Sequence, residues 1–92
     1  MNFSWDLRKA AANLAKHGVA FAEAATVFID PYAATYPDPD HSHGESRWIT
    51  IGYSSGDRCL VVIHVDEEDE TIRIVSTRRA TPKERHAYSE ES

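Results

Sequence analysis

Apolar residues recur along this chain at two periods, and the change of period divides it. Leu7, Ala10, Ala11 and Leu14 fall at i, i+3, i+4 and i+7, which predicts a helix with these residues turned to the core. Asp6 is a good N-cap for it, and the helix runs to His17. Gly18 reads as its stop, because glycine reaches the left-handed backbone that ends a helix. A second stripe, Phe21, Ala24, Ala25 and Phe28, predicts a helix over 21–28, joined by a short linker and ended by Asp30-Pro31.

Beyond Pro31 the period becomes two. Residues 32–36 form a short strand candidate, 37–44 a loop, and 47–53, 58–65 and 71–78 three longer strands. The intervening Ser54-Ser55-Gly56-Asp57 and Asp66-Glu67-Glu68-Asp69-Glu70 read as hairpin turns, so neighbouring strands must be antiparallel. Thr81, Pro82 and Glu84 form a capping box that opens a last helix, expected to reach about Tyr88. The predicted architecture is α+β: two N-terminal helices, an antiparallel meander sheet and a C-terminal helix, in one domain over residues 1–92. In the last strand the period-two rule groups Ile72, Ile74, Ser76 and Arg78 on one face. Arg73, Val75, Thr77 and Arg79 fall on the other, more polar face, which reads as the open side of the sheet, while Arg78 can emerge beside the final helix.

Composition adds limits. The 41% hydrophobic content is that of a folded chain, and no apolar run has the length of a membrane span. The start, Met1-Asn2-Phe3-Ser4-Trp5-Asp6, lacks the order of a signal peptide, so the cytoplasm is the expected compartment. A single cysteine, Cys59, rules out an internal disulfide and reads as a buried thiol. The net charge of −5 argues at first against a polyanionic partner. Five of the fifteen acidic residues, however, stand in the 66–70 run, which reads as a solvated turn, and the remaining ten balance ten basic residues. Arg73, Arg78, Arg79, Lys83 and Arg85 supply half of those cations around one strand–helix junction. The guanidinium fork suits phosphate or carboxylate, so the junction is a candidate anion site.

An ordered set of short pieces runs along nearly the whole chain. It comprises Phe3-x-Trp5-Asp6, Asn13-x-x-Lys16-His17-Gly18-Val19-x-Phe21-x-Glu23-Ala24, Val27-Phe28-x-Asp30, Asp38-x-Asp40-His41-Ser42 and Glu45-x-Arg47. Ile51-Gly52-x-Ser54, Arg58-x-Leu60-Val61-Val62, Ile72-Arg73-Ile74-Val75-Ser76-x-Arg78-Arg79-Ala80-Thr81, Glu84-Arg85 and Tyr88 complete it. In this the chain resembles the BrnT toxins of bacterial type II toxin–antitoxin pairs, with Thr77 in place of an expected alanine. The resemblance implies a RelE-like fold, a metal-independent ribonuclease that arrests translation, and neutralisation by a BrnA-like antitoxin.

Such cleavage needs a base for the 2′-hydroxyl, cations for the charged transition state and an acid for the leaving oxygen. The expected catalytic set is Lys16, His17, Arg78, Arg79 and Tyr88, with Arg47, Arg73, Lys83 and Arg85 contacting RNA. Each has a structural alternative. Lys16 and His17 suit a helix C-terminus, the arginines can pair with Glu84 or Glu45, and Tyr88 can fill the core. His64 in its apolar strand and the two tryptophans read as structural. Asp38, Asp40, His41 and His43 mix ligand types and read as a turn, so no metal or cofactor is expected. The competing function is a non-catalytic binding module whose arginines hold an acidic partner segment.

Overall fold

A short strand comes before the first helix. In the computed structural model, which describes residues 1–39 and 46–91, β1 (Asn2–Ser4) leads into α1 (Leu7–His17). The Asp6 carboxylate caps α1 by accepting from the backbone N–H groups of Arg8 and Lys9 at 2.8 and 3.0 Å. Gly18, at φ 70°, ends it and donates its own N–H to the Leu14 carbonyl. The predicted second helix is α2 (Phe21–Ala25), which tightens into a 3₁₀ turn at Thr26–Ile29. That change of winding sends Val27 into the core. Four strands follow, β2 (Ala34–Pro37), β3 (Trp48–Tyr53), β4 (Cys59–Glu67) and β5 (Thr71–Arg79), and then α3 (Pro82–Glu91).

The predicted meander is present, with β2 to β5 successively antiparallel, in a five-stranded sheet of order β1-β5-β4-β3-β2. The added strand, β1, lies parallel to β5, pairing Asn2 with Thr71 and Ser4 with Arg73. Three residues carry too little periodicity to announce a strand. One sheet face, with Leu60, Val62 and Ile74, packs on Val19, Phe21, Ala24 and Val27 to make the main core. Trp5 joins that core edge-on to Phe21. The opposite face buries Ile51, Cys59 and Val61 with Ala80, against Tyr88 of α3. Gly52 lets β3 approach the helical layer, since a Cβ there would stand 2.9 Å from the Ala33 Cβ and 3.0 Å from Val27.

Two predicted faces are corrected. In β5 the register shifts between Ile63 and His64, pairing them with Ser76 and Ile74, so Val75 is extra and a bulge reverses the alternation. Ile74, Thr77 and Arg79 therefore share the main-core face, and Arg73, Ser76 and Arg78 share the other. Arg73 and Arg79 are not on one open face. In α1, Leu7 is 80% and Leu14 51% exposed, and the helix turns Asn13 inward instead. The Asn13 amide donates to the Val19 and Thr77 carbonyls at 3.0 and 2.9 Å and accepts from the Thr77 N–H at 3.1 Å. β1 pairs with β5 only as far as Arg73. Beyond it, Asn13 satisfies the edge of β5 as a neighbouring strand would.

His64 is buried beneath the helices. Its Nε2 lies 2.8 Å from the Thr50 hydroxyl, which lies 2.7 Å from that of Thr35, and Phe28 stands edge-on to the ring. Burial holds its pKa below the ordinary 6.5. Among the described residues no helix is long and apolar enough to cross a membrane.

Replacing Asn13 with leucine leaves three buried backbone groups unpaired and should cost about 2–4 kcal/mol, read from urea unfolding at constant m-value. His64 sets a pH dependence. Its folded pKa is depressed, so the unfolded chain binds the proton more readily. Stability should be complete above 6.5 and fall as pH drops through the folded value. His64→Gln should flatten that slope in urea titrations carried out below pH 6.5.

Candidate functional site at the end of the last strand

Local sequence places cations around the C-terminal end of β5. The strand stops at Arg79, and the capping box turns the chain sharply into α3. Thr81 N–H donates to Glu84 Oε1 at 2.8 Å and Glu84 N–H to the Thr81 hydroxyl at 3.2 Å. The same Glu84 receives the Arg78 fork, with Nη1 to Oε1 at 2.8 Å and Nη2 to Oε2 at 2.9 Å. That paired guanidinium holds the Glu84 carboxyl down to about 2. Arg78 thus lies beside the final helix, on the α3 face of the sheet, and keeps about 43% of its side chain exposed.

Arg79, on the opposite face, is exposed, and its charge helps to lower the pKa of Glu23 on α2. The main cause of that lowering is Arg58, whose Nε donates to Glu23 Oε2 at 2.9 Å and whose Nη2 donates to Oε1. Ser54 adds a bond to Glu23 Oε2 at 2.7 Å, and Arg58 also reaches the Gly18 carbonyl at 3.3 Å. The end of α1 is thereby tied to the start of β4, next to the end of β5. Lys16 and His17 stand there on α1, in a shallow groove of about 230 Å³ whose far wall is Val75 and Ser76. The bulge at Val75 gives that wall its shape.

Lys83 and Arg85 sit exposed on the first turns of α3, and Arg85 donates to the Ala80 carbonyl at 3.5 Å. Tyr88 is one step removed. Its hydroxyl donates to Asp30 Oδ2 at 2.7 Å, and its ring tilts on Tyr53 at 5.4 Å. Burial, then the Asp30 bond, pushes the phenol pKa well up. Asp30 also accepts from the Tyr32 and Tyr53 N–H groups. Burial works to raise its pKa, but these bonds outweigh it and the net shift is downward.

The remaining predicted cations lie elsewhere. Arg73 pairs with Glu67 at 3.3 Å near the start of β5, roughly 20 Å from Arg79 along the strand at ~3.3 Å per residue. Arg47 precedes β3 at that same far end of the sheet, where its carbonyl accepts from Asp38 N–H. The alternatives involving Glu45, and three members of the Asp38, Asp40, His41, His43 group, fall outside the described residues. Among the described residues no three His, Cys, Asp or Glu side chains come together as a metal site.

The structure therefore sets Lys16 and His17 on α1 beside Val75 and Ser76, Arg78 and Arg79 on opposite faces of the end of β5, Lys83 and Arg85 on the first turns of α3 and Tyr88 on Asp30, and it places Arg47 and Arg73 at the far end of the sheet. The sequence reading carries Arg58, Glu23 and Asp30 in the family pattern but gives them no role at the site, where they position the others. Their signal was an isolated charge beside apolar runs, which a surface residue shares.

The chain is similar to known proteins in sequence and in fold. The family model described as "Ribonuclease toxin, BrnT, of type II toxin-antitoxin system" matches residues 5–84. The crystal structure of the Brucella abortus ribonuclease toxin BrnT superimposes with a TM-score of 0.69 at 28% identity, covering 88% of this chain and 97% of that one. Among curated proteins none matches.

Proposed function

The chain belongs to the family of BrnT ribonuclease toxins of type II toxin–antitoxin systems, and from that premise we propose that it cleaves RNA without a divalent metal. In this reading cleavage arrests translation in the cytoplasm, and a BrnA-like antitoxin holds the enzyme inactive. The observation that carries the proposal is the gathering of Lys16, His17, Arg78, Arg79, Lys83 and Arg85 around one end of β5 in a chain of net charge −5.

Each residue has a role that its position supports. Arg78 and Arg79 flank the strand end on opposite faces and offer guanidinium groups to the phosphate as charge develops in the transition state. His17, with Lys16 beside it on the groove lined by Ser76, supplies an imidazole for proton transfer. Lys83 and Arg85 extend the cationic surface along the RNA backbone, and Arg47 and the Glu67-paired Arg73 stand at the far end of the sheet, where a longer strand would meet them. Tyr88 keeps its proton on Asp30, so it serves the site by fixing α3 and hence the Arg78–Glu84 pair. The carboxylates nearest the cations, Glu23 and Glu84, are each engaged by an arginine fork, which leaves them poorly placed to ligate a metal as well. The cations take the electrostatic role instead.

Purified protein should cut RNA in excess EDTA and leave 2′,3′-cyclic or 3′-phosphate ends; activity abolished by chelator and restored by magnesium would refute the metal-free reading. Arg79→Ala, at an exposed position, should lose on the order of 10²–10³ in rate while its unfolding midpoint stays close to that of the parent chain. Tyr88→Phe should behave oppositely. Loss of the bond to Asp30 should cost about 1–2 kcal/mol in urea titrations, with cleavage reduced less than tenfold.

A further inference from the structure

α3 covers only part of the sheet face on which it lies. Tyr88 packs on the lesser core, but Ala87 beside it is a short side chain, and so is Ala34 on β2. The space they leave is an open cavity of about 270 Å³, lined by Ala34, Tyr36, Ile51, Ala87 and Tyr88. Thr35 turns to the other face, towards the Thr50 hydroxyl, so the alternation along β2 sets Ala34 and Tyr36 on the α3 side. Tyr36 is 41% exposed and offers an aromatic face there. No acidic side chain lines the cavity, so an anion brought to its rim meets no opposing charge from its walls.

The cavity stands in line with Arg78. Ala34 pairs with Ile51, Ile51 with Val61 and Val61 with Arg78, so the cavity floor and the arginine share one row on one face of the sheet. Two strand spacings, roughly 10 Å at the backbone, separate Ile51 from Arg78. Glu84, which holds the Arg78 fork, precedes Ala87 and Tyr88 by three and four residues and so lies on the same side of α3. The Tyr36 phenol is near enough to act electrostatically on the Arg78 guanidinium. A fork that suits phosphate is thus set next to an apolar slot with aromatic walls. A nucleotide has the same two parts, an anion joined through a sugar to a flat ring. We propose that this cavity is a base pocket, in which one splayed-out base of the RNA stacks on Tyr36 between β2 and α3 while its phosphate meets Arg78. The Tyr88 hydroxyl is already bonded to Asp30 and the other walls are mainly apolar, so the pocket grips a base by its face and accepts any of the four. The choice of RNA as the polyanion rests on the ribonuclease reading above; the place of the base is what the cavity adds.

The test compares two strands about four nucleotides long on the full chain, both with 2′-O-methyl sugars that prevent cleavage, one bearing bases and one abasic throughout. The parent chain should bind the base-bearing strand more tightly. Tyr36→Ala should weaken that binding on the order of tenfold and leave the abasic strand unaffected, and Tyr36→Phe should recover most of the loss. Ala87→Leu, which fills the cavity from an exposed position on α3, should give the same pattern as Tyr36→Ala while the unfolding midpoint stays at the parental value. Equal binding of the two strands by the parent chain overturns the proposal. So does a loss in Ala87→Leu that is the same for both strands, or no loss at all. Cleavage of the ribose form by the parent chain is read in parallel. Base-dependent binding without cleavage refutes the ribonuclease reading and leaves the pocket standing, whereas cleavage with base-independent binding refutes the pocket alone.

Discussion

The amide of Asn13 holds this fold together at the point where a sheet edge would otherwise end unsatisfied. β1 covers the outer edge of β5 only from Thr71 to Arg73. Past that point the backbone of Thr77 points away from the sheet, and a buried strand edge with no partner costs about 1–3 kcal/mol for each unpaired group. Asn13 offers a donor and an acceptor in the same spacing as a peptide group and meets both atoms of Thr77, then reaches the Val19 carbonyl with its second N–H. One side chain thereby fixes the rotation of α1, the path of the linker after Gly18 and the height of the helix along β5. Lys16 and His17, one turn further on, stand by Ser76 as a consequence. The outward stripe of leucines is the other consequence of the same rotation.

α3 is secured by a different balance. Its apolar contribution is small, with Tyr88 the main side chain packed on the lesser core. Specific polar contacts do the rest: the Arg78 fork on Glu84, the capping box and the phenol on Asp30. Interactions of this sort are directional and depend on charge. Glu84 keeps its charge down to about 2, which preserves the Arg78 pair across the ordinary range of pH. The arginine is therefore held in one orientation at the strand end before any polyanion arrives, a form of preorganisation that suits electrostatic stabilisation. A phosphate bound there, as the proposed function requires, would have to share or displace the Glu84 carboxylate, and part of the guanidinium stays exposed.

Local signals proved readable where they were chemical. Asp6, Gly18 and the Thr81–Glu84 box announced the helix ends because each satisfies a particular orphan backbone group. The meander followed from the alternation and from turns too short for any other pairing. The face assignments failed for reasons that no count of apolar residues contains. A bulge is one residue long, and Val75 looks like any strand valine, yet it reverses every face after it. In α1 the stripe was real, but the helix had a stronger demand to meet: three buried hydrogen bonds at Asn13 outweighed the burial of two leucines. At the site, the cluster at the end of β5 was visible as composition, whereas the split that sends Arg73 and Arg47 to the far end required the sheet. The BrnT family pattern spans the chain and was legible because Asn13, Glu23, Asp30 and Arg58, the residues that position the rest, are among those that compose it.

The distribution of charge leaves an acidic protein with a basic end that is compatible with a polyanion. The Asp66–Glu70 segment closes the β4–β5 hairpin, at the opposite end of β5 from Arg78 and Arg79. The distance between them, roughly 20 Å along the strand, exceeds the ~8 Å screening length at physiological salt, so the acidic turn does little to cancel the cationic end. The same separation bears on how an inhibitor must be shaped. Because the bulge places Arg78 and Arg79 on opposite faces of β5, no flat segment laid on one side of the sheet reaches both. A cover has to come around the strand edge, and beyond Arg73 that edge is occupied by α1 through Asn13.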